Sequence, residues 1–441
     1  MSRVDVAIAG AGPAGLALAI LLAQRGVSVR VLEERAQPGT HSRAIGLHPP
    51  GLEVLDLAGV GSAAVEAGVR ITSGVALNGI PHRGAAAVAS MDFGVLPGPH
   101  RYVLALPQTT TLALLEKRLD LLDPGALRRG VRVEGFGPGP DGVRVRTRVS
   151  GPDTPPDGGP PASPYLTARF LVGADGVRSG TRQALGLPFL GEAHPDRYAM
   201  ADYPDTTDFG STAALFLHPE GIVESFPLPG GLRRWVARLA DGPGSPRFLR
   251  RGNGGGPLRV PVAGSPRDSL GEALPATIAR RTGHAVEAAG VVPSVFGTAR
   301  RSVPRMAAGP VVLIGDAAHE VSPIGGQGMT LGLLDAAQLA GILCAALAQG
   351  HGTAHGLWHG TVRQGTAHRT PHDAATQAAL ERFSARRLDA ARTAGRAAHL
   401  NMVLGRPLPG PLLRGRNRAI GALVGHGAVH DSVARHFTMQ G

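Results

Sequence analysis

The sequence predicts an α/β protein, built from a Rossmann-like dinucleotide-binding domain, a mostly β layer and a helical C-terminal region. Three observations carry the prediction. Residues 4–33 read as strand, glycine turn, helix and strand. A second apolar run, "VVLIGD" at 311–316, leads through the glycine-rich loop "AAHEVSPIGGQGM" into another apolar helix pattern. The stretch "STAALFLHPEGIVESFPLPGGLRRWVARLA" at 211–240 instead has short alternating runs punctuated by Gly and Pro, the mark of strands and tight turns.

In the first segment the turn is Gly10-Ala11-Gly12-Pro13-Ala14-Gly15. Gly10 permits the tight turn, Gly12 lets backbone N–H groups approach a pyrophosphate, and Gly15 lets the helix pack close to the strand. Glu33 ends the second strand, where a carboxylate accepts from a ribose hydroxyl. An acid there, rather than an arginine, argues against a 2′-phosphate and favours FAD or NAD. The second segment supplies what the far end of a dinucleotide needs. Asp316 can accept from ribityl or ribose hydroxyls, and Gly325, Gly326 and Gly328 let backbone lie against a flat ring. A helix predicted to start near Met329 points its positive end at that ring. A reduced flavin gains negative charge at its N1–C2 edge, and a helix N-terminus stabilises such charge by about 0.3–2 kcal/mol.

Bulk composition narrows the function classes. The chain has 441 residues, a formal charge of +12 and Lys117 as its one lysine. The arginines are scattered and aromatics make up 4%, which gives few stacking platforms and argues against nucleic acid. The one cysteine, Cys344, lies in the apolar run "LAGILCAAL" and reads as a buried, inert thiol. The N-terminus enters a strand directly without a signal-peptide layout, so a cytoplasmic protein is expected. The most membrane-like window, near 329–350, is broken by Asp335 and Gln338.

With these residues in hand, "VAIAGAGPAGLALA", "FLVGADGVRSGTRQALG" and "VLIGDAAHEVSPIGGQGMTLGLLDA" resemble, in order and spacing, the three signature motifs of the class A flavoprotein monooxygenases. These are the para-hydroxybenzoate hydroxylase-like and ubiquinone-hydroxylase-like aromatic hydroxylases. The resemblance covers most of 1–345, is weaker in 188–295, and returns in the tail "RFSARRLDAARTAG". It implies a glutathione reductase-type FAD-binding domain. It also implies an enzyme in which NAD(P)H reduces FAD and a C4a-hydroperoxyflavin passes oxygen from O2 to an aromatic, quinone-like or polyketide-like small molecule. Carried over residue by residue, Arg43 in "HSRAIGL" matches the arginine that reaches the flavin pyrophosphate and ring region. Gln108 stands where the family has a Gln or Arg on the diphosphate or ribityl chain; the alternative is a polar residue at a helix start. Asp175 and Arg178 fall in the motif implicated in FAD and NAD(P)H binding. Pro323 matches the proline beside the flavin, with Ser322 in place of the more usual preceding proline. His319 reads as a structural histidine near the cofactor loop. The catalytic set is unknown from sequence. His48 and Pro323 are the candidates, against the plainer reading of His48 as a turn histidine before Pro49-Pro50.

The resemblance places a discontinuous FAD-binding domain at 1–75, 101–187 and 296–345, a substrate-binding β-sheet at 76–100 and 188–295, and a helical region at 346–441. Residues 150–164, "SGPDTPPDGGPPASP", read as a low-complexity insertion between strands. His351, His355, His359, His368 and His372 form a histidine cluster, but no HExxH or partner cysteine accompanies it and no metal is expected. The tail "PLLRGRNRAIGALVGHGAVHDSVARHF" interleaves apolar residues with arginine. Such a segment either makes weak peripheral contact with an anionic membrane or packs on its own domain with a solvated basic face. Two other activities stay open at this stage: a non-oxygenating FAD-dependent reductase or dehydrogenase of the same fold, and a degenerate nucleotide-binding protein.

Overall fold

The computed structural model describes residues 2–39, 44–79, 87–139, 142–149, 165–239, 267–349 and 374–440. Arg43, the 150–164 insertion and the cluster from His351 to His372 lie outside the described residues. The chain forms two compact, discontinuous units, Met1–Ala67 with Leu106–Glu192 and Arg300–Arg396, and Gly68–Ala105 with Ala193–Ala299 and Ala397–Gly441.

The first unit is built on a sheet ordered Ala307–Ala308, Val311–Leu313, Tyr165–Gly173, Ser2–Ala9, Val29–Glu33, Leu127–Arg129. From Val311–Leu313 to Leu127–Arg129 every pairing is parallel. Strands buried on both faces need apolar residues throughout, and "VDVAIA" and "ARFLVG" supply them. A hairpin, Val131–Gly139 and Gly142–Val149, attaches antiparallel to Tyr165–Gly173. The register aligns the carboxyl ends: Ala9 pairs with Leu32 on one side and Gly173 on the other, and Gly173 pairs with Leu313. In an open α/β sheet that row of strand ends is where ligands bind.

Helix Pro13–Ala23 starts with proline at its first turn, where a missing N–H does no harm, and is buried from Gly15 to Leu22. It packs on Gln327–Gln349 and on Gln108–Leu122. The helix Gln327–Ala348 is long and apolar enough to cross a membrane by length and composition, despite Asp335 and Gln338. Here it is a core helix: Leu331, Leu333, Ala336, Leu339 and Leu343 are buried, and Asp335 is fully buried in an ion network.

The second unit carries a sheet ordered Leu190–Pro204, Leu232–Arg238, Val223–Leu228, Ala213–Leu217, Ser73–Asn78, Ala87–Asp92. It is antiparallel except where Ala213–Leu217 meets Ser73–Asn78. Alternation puts Tyr203, Trp235, Ala237, Val223 and Phe216 on one face, where Leu274 and Ile278 of helix Arg267–Thr282 complete an apolar core. The tail forms helices Gly410–Val424 and Gly427–Phe437, packed on their own unit. Phe437 stacks on Phe93 at 6.0 Å, and the Asn417 side chain donates to Asn78 Oδ1 at 2.6 Å.

Candidate cofactor site

The first cradle is made of backbone. The Gly10 turn has φ +100° and runs against Ala174, whose N–H donates to the Ala9 carbonyl at 2.8 Å. A Cβ on Gly10 would lie 2.5 Å from the Ala174 oxygen, and one on Gly15 only 2.2 Å from the Gly10 oxygen. Gly12 differs: its nearest neighbour would be 4.0 Å away. The space beside Gly12 is therefore open while Gly10 and Gly15 are closed by the protein itself. The first intrahelical bond runs from the Leu16 N–H to the Gly12 carbonyl at 3.0 Å. The amides of Gly12, Ala14 and Gly15 precede it and form the positive end of a buried helix. An open space lined by such amides fits a pyrophosphate.

Glu33 is buried beside this turn. Its Oε2 accepts from the Ala11 N–H at 2.9 Å, and its Oε1 from the Arg35 backbone N–H at 3.1 Å and Nε at 3.0 Å. Burial pushes its carboxyl up, but these donors prevail and hold it below the ordinary range. Glu33 thus pins the glycine turn as well as standing at the strand end.

Asp175 follows the middle strand and caps the short turn Gly180–Ala184. Ser179 Oγ donates to Oδ1, while the Thr181 N–H and Oγ1 donate to Oδ2, both at 2.9 Å. Arg178, next to this cap, is exposed. Arg182 donates to the Ala317 carbonyl at 3.1 Å and lies 4.0 Å over the Phe189 ring, joining the Asp175 segment to the Asp316 segment.

Asp316 sits in the one-turn helix Gly315–Ala317 that ends the strand Val311–Leu313. Its side chain is accessible, yet protein packed around it raises its carboxyl above the ordinary range; the Asp335 charge adds to this and His319 opposes it. The glycine loop follows in the chain and leads into the late helix. The Gly326 N–H donates to the Pro323 carbonyl at 2.9 Å, and Gly325 and Gly326 have φ +99° and +67°. The helix begins at Gln327, two residues before the expected start near Met329, so Gly328 and Met329 lie in its first turn.

His48 is buried and caps helix Pro49–Leu57. Its Nε2 donates to the Gly325 carbonyl at 2.9 Å, and its backbone N–H to Thr330 Oγ1 at 3.3 Å. Burial lowers its pKa to about 4, so it is neutral and ties the turn to the glycine loop. Pro323 is exposed on that loop. Gln108 opens helix Gln108–Leu122, and its N–H donates to the Ala44 carbonyl at 3.2 Å.

Sequence reasoning missed the support beneath Asp316. Asp335 accepts from the Gly315 N–H at 2.9 Å, His319 Nε2 at 2.7 Å and Arg387 Nε at 2.6 Å, all three side chains being buried. Burial favours the neutral forms of both ionisable partners. The ion pair prevails, raising the His319 pKa and lowering that of Asp335. The signal was present as a lone aspartate in an apolar helix, "LGLLDAAQLAG".

From Glu33 to Asp316 the site spans three strand spacings, about 14 Å, with amides in the middle and a carboxylate at each end. That arrangement fits a dinucleotide lying along the strand ends. Comparison with known proteins agrees. The family profile described as FAD binding domain matches residues 3–364. The chain is 32% identical over 351 residues to 6-methylpretetramide 4-monooxygenase of Streptomyces rimosus, covering 79% of this chain and 56% of that protein. It spans 56–64% of the length of the first curated relatives it matches. Among solved structures, p-nitrophenol 4-monooxygenase of Pseudomonas putida superposes with a TM-score of 0.78 at 22% identity, covering 100% of this chain and 99% of that one, which shows the fold. The anhydrotetracycline hydroxylase OxyS of Streptomyces rimosus gives a TM-score of 0.70 at 25% identity, covering 99% and 76%. A profile match over most of the chain, on a fold whose strand ends form a dinucleotide cradle, places this protein in the class A flavoprotein monooxygenase family.

Proposed function

We propose that the protein is an FAD-dependent monooxygenase that uses NAD(P)H and O2 to hydroxylate an aromatic, quinone-like or polyketide-like small molecule. The observation that carries this reading is the row of strand ends from Glu33 through Gly12 to Asp316, all in one compact unit. Relatives named as monooxygenases of 6-methylpretetramide, rifampicin and pentachlorophenol support an aromatic or polyketide-like substrate. In this reading Glu33 faces the adenosine ribose, the amides near Gly12 hold the pyrophosphate, and Asp316 receives the ribityl chain. Gln108, Asp175, Pro323 and the glycines from Gly325 to Gly328 frame the remainder.

Bound FAD supplies hydride acceptance and oxygen activation. The chain's own task is to bind, orient and keep water out. His48 is neutral and committed to the Gly325 carbonyl, so it positions the loop and is not a free base. The positive end of helix Gln327–Gln349 favours negative charge developing on the ring. The test is to purify the protein, measure its flavin content, and follow NADH and NADPH oxidation with phenols and quinols under labelled O2. Label in the product supports the reading. Cofactor oxidation with peroxide as its sole product for every compound, or a chain that takes up no FAD, would sink it.

A further inference from the structure

The C-terminal segment carries two surface properties that the cofactor site does not use. From Ala391 to His430 the sequence holds six arginines and no aspartate or glutamate. The same stretch holds five of the eleven large apolar residues that are exposed among the described residues: Leu400, Val403, Leu412, Leu423 and Val429. Single exposed leucines are ordinary on a protein surface. Their concentration in a basic segment without acids marks an interaction surface.

Helix Gly410–Val424 divides its duties by face. The inner face is committed. Leu413 and Asn417 are buried, and a Cβ on Gly421 would lie 2.6 Å from the Val88 carbonyl oxygen. These positions are four apart and share one face, which the bond from Asn417 to Asn78 anchors. At about 3.6 residues per turn, the opposite face carries Leu412, Gly415, Ala419, Ala422 and Leu423, all exposed. Leu412 and Leu423 are 62% and 60% exposed. Arginines border this apolar strip on both sides. Arg414 and Arg418 stand on one flank, exposed and without an ion-pair partner among the described residues. Arg416 stands on the other and donates to the Leu404 carbonyl and to Asn417 Oδ1. That bond ties the helix to the end of Ala374–Leu404, whose final turns expose Leu400 and Val403. The strip ends at the turn into Gly427–Phe437, where Ala428 and Val429 are exposed as well.

We propose that this face docks the protein on an anionic lipid bilayer. An apolar strip bordered by arginines is the pattern of a helix that lies in the plane of the headgroups. Leu412 and Leu423 enter the acyl boundary, while Arg414 and Arg418 meet the negative groups of the lipids. With two leucines among small residues, the contact is shallow and reversible. Charge selects the occupant. A second copy of this chain, joined face to face, would set the same arginines against each other with no acid between them. Nucleic acid would take the arginines and leave the leucines in water. Negative headgroups over an apolar interior complement both features at once. The proposal goes beyond the monooxygenase reading and does not depend on it, since it concerns where the protein docks and not what it turns over.

The test is flotation of the full chain, as purified, with vesicles of phosphatidylcholine alone or mixed with phosphatidylserine. The expected result is binding to the mixed vesicles at low salt, roughly tenfold or more weaker on phosphatidylcholine alone, and falling as salt rises. Each basic residue near such a surface is worth roughly fivefold in partitioning, so Arg414→Gln with Arg418→Gln should lower it about twentyfold. Leu412→Ser with Leu423→Ser should lower it by roughly fivefold or more. Leu57→Ser, at a leucine 61% exposed in the other unit, is the control and should change nothing. All these positions lie on the surface, so thermal midpoints and flavin content should match wild type. No flotation with either vesicle, equal flotation with both, or a loss in Leu57→Ser as large as in the tail variants would overturn the proposal. So would a dimer in sedimentation velocity that the paired leucine substitutions abolish, which would make a second copy the occupant.

Discussion

Asp335→Asn tests whether the buried network beneath Asp316 carries the site. The substitution keeps shape and removes one charge. Three donors point at this carboxylate, the Gly315 N–H, His319 Nε2 and Arg387 Nε. An amide offers one oxygen and one NH2, so at least one donor meets another donor, and the Arg387 guanidinium, 5% exposed, loses its counter-ion. Breaking a buried pair on one side costs about 3–5 kcal/mol. At ~2–4 °C per kcal/mol for a unit of a few hundred residues, the thermal midpoint should fall by roughly 10 °C. The Gly315 turn would loosen, and flavin retention should fall with it. The sign of the pH effect is also fixed. The His319 pKa is raised above 6.5, so its contribution is present below that value and is lost as pH rises through the folded pKa. The Asp335 pKa is lowered below 3.8, so its contribution holds above that value and is lost as pH falls through the folded pKa. Wild type should therefore lose stability from neutral to alkaline pH more steeply than Asp335→Asn. Thermal scans of the apoprotein from pH 5 to 9 measure this. Arg387→Met added to Asp335→Asn should recover part of the loss, because the stranded charge is gone. An unchanged midpoint in Asp335→Asn, or strict additivity in the double variant, would refute the reasoning.

The glycine turn makes a contrasting pair. Gly15→Ala would put a methyl 2.2 Å from the Gly10 oxygen and should abolish soluble folded protein; Gly12→Ala meets nothing closer than 4.0 Å, so it should fold with a midpoint near wild type and release FAD in dialysis. Asp316→Ala removes an accessible carboxyl that bonds nothing in the fold among the described residues, so the apoprotein midpoint should stay near wild type while the FAD dissociation constant increases tenfold or more; a mutant with full flavin occupancy would move the role elsewhere. His48, with its pKa lowered from 6.5 to about 4, opposes folding once the unfolded chain takes up a proton. Wild type should lose about 3 kcal/mol as pH falls from 6.5 to 4 through this group, and His48→Gln should show a flatter midpoint over that range.

The legible parts of this protein are the ones made by backbone. Gly10 and Gly15 leave a sequence trace because no side chain fits against the Ala174 and Gly10 carbonyls. Glu33 and Asp316 were found because each ends an apolar strand, a position readable from hydrophobic pattern alone. Asp335 and Arg387 were not found, since their partners lie 16 to 52 residues apart in the chain and meet only by helix packing. The same holds for Glu224. Alternation in "IVESFPL" marks a strand, but not that the acid's neighbours across the sheet are Leu215 and Val236. The start of the late helix was placed two residues late because Gly325 and Gly326, not Gly328, carry the left-handed turn.

Whether its hydrogen-bonding capacity is filled separates two kinds of buried charge here. Asp335 and Glu224 are both acids within apolar elements, and composition cannot tell them apart. Asp335 is matched by three donors from three segments and its pKa falls; its capacity is spent inside the fold, which makes it a strut. Glu224 has its pKa raised by burial with nothing to offset it, and no donor reaches it among the described residues. A fold gains nothing from leaving such a group unpaired, at a cost of about 1–3 kcal/mol. Replacing Glu224 by Gln should therefore stabilise the protein in the absence of ligand, where Asp335→Asn destabilises it. Opposite signs from two similar substitutions would mark one acid as a satisfied strut and the other as a buried charge that the fold leaves unmatched.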